Sequence, residues 1–431
     1  MAKSEFKIVG LTALGGTLEF YDFTIYALFA PYISQHFFYN TDPLIGVMNT
    51  FAVFALGYLA RPLGGIVFGH LGDKWGRKIA FLWAVLMMAM ATLAIGCLPD
   101  YHSIGIIAPM ALIVLRLIQG FSVGGEIPGA TLFTFEHVAA EKRGLFIGVV
   151  FMCITLGNTL GGLVGLVLTH ILNETQMMAW GWRVPFILGF LLGIISFYIR
   201  KKLVETPVFI QMVAMKQLQD KPFLRLLKQT RVNIVKAFLL TASISTISSF
   251  LIYLPTYLST MMNIKVSSTY LINVVSFLSI ALMTAVWGRV SDYYNRRRLM
   301  IIGTSLLMVL VVPLFYGLTT WGIEFIWIFI LIFAVICGMI NSCYVILITE
   351  LFPANLRYSG VAFSYSLGFA LIAGSAPLVF TALIQSLHRV EAPAFYIAAC
   401  SLLTLMATLF YNGKTRHSPI EEMGPQVAME K

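Results

Sequence analysis

The chain is 431 residues long, 59% hydrophobic and 11% charged, with 29 Lys and Arg against 19 Asp and Glu for a net charge of +10. Soluble domains carry about 25% charged residues, so this composition excludes a water-soluble enzyme or binding module and indicates an integral membrane protein. The positive surplus does not mark a nucleic-acid partner either: with the amino terminus inside, about 24 of the basic residues fall in cytoplasmic segments, as the positive-inside rule requires.

A helix needs about 20 apolar residues to cross the hydrocarbon core. Such stretches centre, in chain order, near Asp22, Leu56, Met88, Gln119, Asn158 and Leu191, then near Ser249, Leu278, Met308, Val335, Phe369 and Leu402. They are continuous rather than alternating, which excludes a transmembrane barrel. The expected fold class is an all-α membrane protein of twelve transmembrane helices in two pseudo-symmetric six-helix bundles. The first bundle covers 1–202, a cytoplasmic linker of short amphipathic helices 203–232, the second bundle 233–412, and a short cytoplasmic tail 413–431. The first stretch carries Glu19 and Asp22 and exceeds the signal-peptide core of about 7 to 15 residues, so it reads as a retained helix.

The halves repeat one another. Gly69, Asp73, Arg77 and Lys78 in GHLGDKWGRK correspond to Gly288, Asp292, Arg296 and Arg297 in GRVSDYYNRR at a constant offset of 219 residues. Glu136 precedes Arg143 by seven positions, as Glu350 precedes Arg357. Many membrane transporters are built from repeats of this size. Asp73 is placed to act on the N-terminal dipole of the following helix, and Arg77 and Lys78 to reach Glu136 on a neighbouring helix end. Gly69, Asp73, Arg77, Lys78, Glu136, Arg143, Asp292, Arg296, Glu350 and Arg357 are therefore expected to form a cytoplasmic gate.

An ionisable group at mid-bilayer costs about 2.5 to 3.5 kcal/mol, so each needs a partner or a task. Glu19, Asp22, Arg61 and Arg116 stand out. Glu19, Asp22 and Tyr26 share a helix face, and counting 1.5 Å per residue puts Asp22 level with Arg116 and Glu19 level with Arg61. An acid and an arginine at matched depth make a pair that a proton breaks, coupling protonation to conformation; a permanent salt bridge is the alternative. The expected proton-coupling set is Asp22 and Arg116, supported by Glu19 and Arg61. No acid or base falls in the middle of a second-half helix, where Tyr253, Tyr257, Asn341, Tyr344 and Tyr365 offer neutral groups instead. With Tyr26, Gln119 and Asn158 they are the expected substrate contacts. Glycine stripes on the fourth helix (Gly120, Gly124, Gly125) and fifth helix (Gly157, Gly161, Gly162, Gly165) permit close backbone approach.

Seven scattered histidines and five cysteines within or at the ends of apolar helices supply no metal-ligand spacing. Gly413, Lys414 and Thr415 end a phosphate-loop pattern that Thr408 fails to begin. No metal or cofactor is expected beyond the proton gradient, and no nucleophile with its base can be assembled for an enzyme.

At its motifs the chain resembles the major facilitator superfamily, whose hallmark turn GHLGDKWGRK at 69–78 matches at nearly every position. It is similar, within it, to the metabolite:proton symporter group through LEFYDFTIY at 18–26, ARPLGG at 60–65, RLIQGFSVGGE at 116–126, GWRVPF at 181–186, ETPVF at 205–209 and ELFPANLRYSG at 350–360. The resemblance implies a central cavity and alternating access driven by the proton gradient. Sugar porters of the superfamily set a first-helix aspartate against a fourth-helix arginine, positions held here by Asp22 and Arg116. GGEIPGA at 124–130 departs from the group, and its Pro128 is expected to alter the fourth helix locally. Members of the group carry proline, glycine betaine, citrate, 2-oxoglutarate or shikimate. The resemblance thus implies a symporter importing a small carboxylate-bearing metabolite, a proline/betaine-type zwitterion or an organic acid, with arginine for the carboxylate and tyrosine faces for the cation. An exporter of a polycarboxylate chelator or drug, and a non-transporting receptor, are the rival readings. The expected partners are the small molecule, H+ and the lipid bilayer, with no nucleic acid. The expected setting is a bacterial inner membrane, spanned by a functional monomer with both termini cytoplasmic.

Overall fold

In the computed structural model the described residues are 10, 12–13, 16–17, 20–22, 24–38, 43–215 and 222–411. They form helices and connecting turns, with no β-strand among them. The first helix, α1, is helical at each described position of 10–28 and over Ala30–Phe37. It is followed by α2 (Pro43–Lys74), α3 (Arg77–Cys97), α4 (Ile107–His137), α5 (Arg143–Ile171) and α6 (Val184–Lys201). The second bundle holds α7 (Arg231–Leu240 and Ala242–Met261), α8 (Val266–Tyr293), α9 (Arg296–Trp321), α10 (Ile326–Glu350), α11 (Arg357–Gly368 and Ala376–Leu387) and α12 (Pro393–Leu409). Ten of these are long and apolar enough to span a bilayer, and α1 and the shorter α12 complete twelve. Leu59, Leu63, Trp83 and Met90 are exposed on the outside of the bundle, where hydrocarbon rather than water is their solvent.

Small residues set how closely the helices approach. Within the first bundle, a Cβ at Gly120 or Gly124 of α4 would overlap the backbone of α2 at Gly57 or Arg61. Between the bundles, a Cβ at Gly69 of α2 would stand 2.8 Å from Ser359 Cα of α11, and one at Gly288 of α8 would stand 2.9 Å from Gly148 Cα of α5. The two pseudo-equivalent helices thus meet the opposite bundle backbone to backbone. The turns between α2 and α3 and between α8 and α9 are solved differently. Gly76 takes a positive φ of 120°, which glycine reaches without steric cost. Its counterpart Asn295 caps α9 by accepting from Arg298 N at 3.3 Å.

Pro128 leaves α4 continuous, but it has no N–H to give the carbonyl of Gly124 one turn back. That carbonyl accepts instead from Ser366 Oγ of α11 at 3.4 Å. In α11 a π turn at Phe369–Ala373, closed by Gly374 N donating to Phe369 O at 3.0 Å, interrupts the helix beside the bundle interface. Two short helices, Pro207–Ala214 and Pro222–Gln229, join the bundles. Arg200, the first of three consecutive basic residues at the end of α6, is fully buried.

Candidate functional site

A cavity of about 60 Å³ lies between the bundles, room for on the order of five waters. The first bundle gives it Tyr58, Arg61, Thr155 and Asn158, and the second gives Asn341, Tyr344, Tyr365 and Phe369. The Arg61 guanidinium lies 4.0 Å from the Tyr58 ring centroid and 5.7 Å from that of Phe369, which the π turn carries. Tyr365 stacks on Phe369 at 4.4 Å and on Tyr344 at 6.4 Å. Asn158 accepts from Thr24 Oγ1 through its Oδ1, and Asn341 donates from Nδ2 to Thr284 Oγ1 at 3.1 Å.

Of the expected substrate contacts, Asn158, Asn341, Tyr344 and Tyr365 line this cavity. Tyr253 and Tyr257 do not. They face the second bundle's own aromatic core, Tyr253 tilted against Phe380 and Tyr257 packed on Phe250 and Phe315, with hydroxyls held by Thr381 at 3.3 Å and Val390 O at 3.0 Å. Tyr26 and Gln119 belong to a separate network inside the first bundle. Arg61, expected beside Glu19 as support for proton coupling, faces the cavity; Glu19 itself lies outside the described residues.

The second network joins Asp22 to Arg116 through intermediaries. Arg116 Nη1 donates to Gln119 Oε1 at 2.7 Å, Gln119 Nε2 donates to Thr92 Oγ1 at 2.8 Å, and Thr92 Oγ1 donates to Asp22 Oδ2 at 3.0 Å. All four are buried. The expected direct pairing is therefore replaced by a relay across α1, α3 and α4. Thr92 Oγ1 also lies 3.0 Å from Met88 O, so its hydroxyl proton has a second acceptor and can turn from the carboxylate without being stranded. Arg116 is shelved on the Tyr26 ring at 4.0 Å and the Phe54 ring at 5.2 Å. Asp22 Oδ1 has no hydrogen-bond donor among the described residues and lies against Gly189 of α6, where any Cβ would overlap it. Neither Thr92 nor Gly189 is marked by the sequence, since threonine and glycine recur throughout these helices.

The repeated motifs form the third site, at one rim of the bundles. Asp73 does not act on the helix that follows it. Its Oδ2 accepts from Ser359 N at the start of α11 at 2.9 Å, across the bundle interface. The N-terminus of α3 is held instead by Glu205, which accepts from Arg77 N and Lys78 N at 3.1 Å each. Asp292 repeats the arrangement, accepting from Gly144 N at 2.7 Å and Leu145 N at 2.9 Å at the start of α5. Each aspartate thus sits at a helix N-terminus of the other bundle, where the macrodipole favours negative charge. Arg77 pairs with Asp73 at 2.8 Å and Glu136 at 3.7 Å and donates to Ala354 O at 3.1 Å. Arg296 pairs with Asp292 at 3.3 Å and Glu350 at 3.2 Å and donates to Ala140 O at 3.4 Å. Glu136 meets Arg357 at 3.9 Å rather than the Arg143 that follows it in sequence, whose Nε donates to Phe135 O at 3.1 Å. Lys78 contributes its backbone N–H, and its side chain has no ion pair among the described residues. Tyr358 Oη donates to Gly125 O at 2.8 Å and completes a rim closed from both sides.

A buried ion pair was missing from the expected set: Arg200 Nη2 lies 2.5 Å from Glu126 Oε1, and the guanidinium rests 3.7 Å from the Phe81 ring centroid. It ties α6 to α4 beneath the Asp22 network.

Twelve spans in two bundles, a cavity between them and pseudo-symmetric latches at one rim define a two-bundle membrane carrier. A family model described as Major Facilitator Superfamily matches residues 12–377 and 264–426. The chain is 32% identical over 429 residues to the glycine betaine/proline/ectoine/pipecolic acid transporter OusA of Dickeya dadantii (strain 3937), covering 97% of this chain and 85% of that protein. It is 31% identical over 433 residues to a putative proline/betaine transporter of Staphylococcus haemolyticus (strain JCSC1435), covering 99% and 91%. It is 31% identical over 429 residues to the proline/betaine transporter of Escherichia coli (strain K12), covering 97% and 85%. Among solved structures, the proton:xylose symporter XylE bound to 6-bromo-6-deoxy-D-glucose superposes with a TM-score of 0.80 at 16% identity, covering 95% of each chain. An inward-open form of XylE from E. coli gives 0.66 at 14%, covering 97% and 99%. The chain belongs to the Major Facilitator Superfamily, and its named relatives are transporters.

Proposed function

We propose that this protein is a proton-coupled symporter that imports a small zwitterion of the proline or betaine type by alternating access. The observation that carries this reading is a small shared cavity holding one arginine and a stack of aromatic rings, beside a buried carboxylate that a relay links to a second arginine. Arg61 matches the substrate's carboxylate and the Tyr344, Tyr365 and Phe369 faces its cation. Asp22 carries the proton. When it is ionised, Thr92 donates to it; when it is protonated, its own O–H turns to Thr92 and the hydroxyl swings to Met88 O. The change passes through Gln119 to Arg116, so that protonation and helix position shift together. The names of the relatives support the substrate class, and the XylE-like fold supports the two-bundle rocking motion.

The rim of repeated motifs is the cytoplasmic gate in this reading, and the structure is the form closed on that side. The monomer is the working unit because one chain supplies both walls of the cavity, and a bacterial inner membrane with both termini cytoplasmic is the setting that the distribution of Lys and Arg favours. Uptake of radiolabelled L-proline and glycine betaine into proteoliposomes, with an acid-outside gradient imposed and then collapsed by a protonophore, tests the proposal. Accumulation that needs the gradient is the expected result. Uptake indifferent to the gradient overturns the coupling, and uptake of neither zwitterion overturns the substrate class.

A further inference from the structure

The two amides in the cavity present opposite faces to it. Thr284 Oγ1 donates its one proton to Ile280 O at 2.8 Å, so toward Asn341 it can only accept. The Asn341 atom 3.1 Å away must then be Nδ2, and this fixes the orientation of the amide. Asn341 Oδ1 is left with no hydrogen-bond donor among the described residues and opens to the cavity that Asn341 lines. Asn158 is set the other way: its Oδ1 is taken by Thr24, leaving its amide N–H groups to the cavity. The first bundle therefore lines the cavity with donors, Arg61 and Asn158. The second lines it with a carbonyl oxygen and ring faces, and both bundles add hydroxyls, Tyr58 and Thr155 from the first and Ser248, Tyr344 and Tyr365 from the second, that can donate or accept. A zwitterion has the same polarity.

We infer that Asn341 is the group that distinguishes a substrate ammonium carrying N–H from a fully alkylated one, an inference that rests on the zwitterion reading above. A secondary ammonium enters the cavity with two N–H groups, and each needs an acceptor once water is gone. Among the described side chains lining the cavity, Asn341 Oδ1 is the one carboxamide oxygen not already accepting. A quaternary ammonium has no N–H to satisfy and is held by aromatic faces alone. Loss of the acceptor therefore penalises the first class and not the second, by about 10- to 100-fold, the range for a hydrogen bond to a charged group. Thr284 is a positioning residue: without its hydroxyl, nothing prevents the amide from turning its N–H groups toward the cation.

The test uses two ligands with one skeleton, L-proline and N,N-dimethylproline, titrated calorimetrically into the purified full-length protein. The wild type is expected to bind L-proline at least tenfold more tightly. In Asn341→Leu and in Thr284→Val the preference is expected to fall to within about threefold, whatever happens to absolute affinity. Equal binding by the wild type overturns the inference and does not depend on any variant folding. So does a preference that survives in both variants. Binding of neither ligand by the wild type removes the zwitterion reading itself, an outcome distinct from loss of the preference alone.

Discussion

The two bundles share a fold, a motif and a closing latch, yet they bury different chemistry. Within its spans the first holds Asp22, Arg61, Arg116, Glu126 and Arg200. Midway along its helices the second holds hydroxyls and amides such as Asn273, Thr284 and Asn341, and no Asp, Glu, Lys, Arg or His among the described residues. A charge in a span is costly and a hydrogen-bonded amide is cheap. The buried charges are therefore gathered in the first bundle, which in the proposed reading carries the proton at Asp22 and meets the substrate's carboxylate at Arg61, while the second bundle offers neutral groups to the cavity.

That division can be broken most forcefully at the buried ion pair. Glu126→Ala strands Arg200 from its carboxylate and is expected to cost about 3–5 kcal/mol of stability, read as a lowered Tm in detergent. Asn273→Ala, which removes a bond to Leu251 O of 2.7 Å in the second bundle, is expected to cost only about 1–3 kcal/mol. Equal losses would mean that the halves do not differ in how they bear polarity.

Thr92→Val sharpens the comparison at the relay. It removes the hydroxyl that links the carboxylate to Gln119 and Arg116, so the pH profile of gradient-driven uptake should change, and Thr92→Ser, which keeps the hydroxyl, should restore it. The same pair of substitutions at Thr304, a buried second-bundle threonine bonded to its own helix at Met300 O, should leave the pH profile in place.

At the rim the halves should behave alike. Asp73→Asn and Asp292→Asn each remove a charge at the N-terminus of a helix in the other bundle, where the helix dipole alone contributes about 0.3–2 kcal/mol to the closed form, and each also removes a partner of Arg77 or Arg296. Spin-label distances across the rim should lengthen to a similar degree in both variants. A shift in only one would show that the pseudo-symmetry seen in the hydrogen bonds is not carried into energy.

Much of this was legible from the chain. Each of the twelve apolar centres falls in its own span, because hydropathy is read over about 20 residues and is insensitive to detail. The motif offset located the rim, and matched depths brought Asp22 and Arg116 into one neighbourhood. Contacts between distant helices were not legible. Depth says nothing about azimuth, so Tyr253 and Tyr257 could be placed on α7 but not on the side facing Phe250 and Phe315, and Arg61 could be levelled with Glu19 but not turned toward the cavity. Asp73 was assigned to the nearest helix in sequence, whereas Ser359 reaches it from the other half. Arg200 was absent from the expected set although it carried a signal: it shares a helical face with Gly193 and Ser196, both buried, which sets it in the core.

The most direct test of this account is substrate-driven proton movement in proteoliposomes loaded with a pH-sensitive dye, comparing the wild type with Asp22→Asn. The wild type should acidify the lumen when L-proline is added outside. Asp22→Asn should exchange proline across the membrane without any change in lumenal pH. Acidification of the lumen by Asp22→Asn at the wild-type ratio of protons to proline would contradict the account.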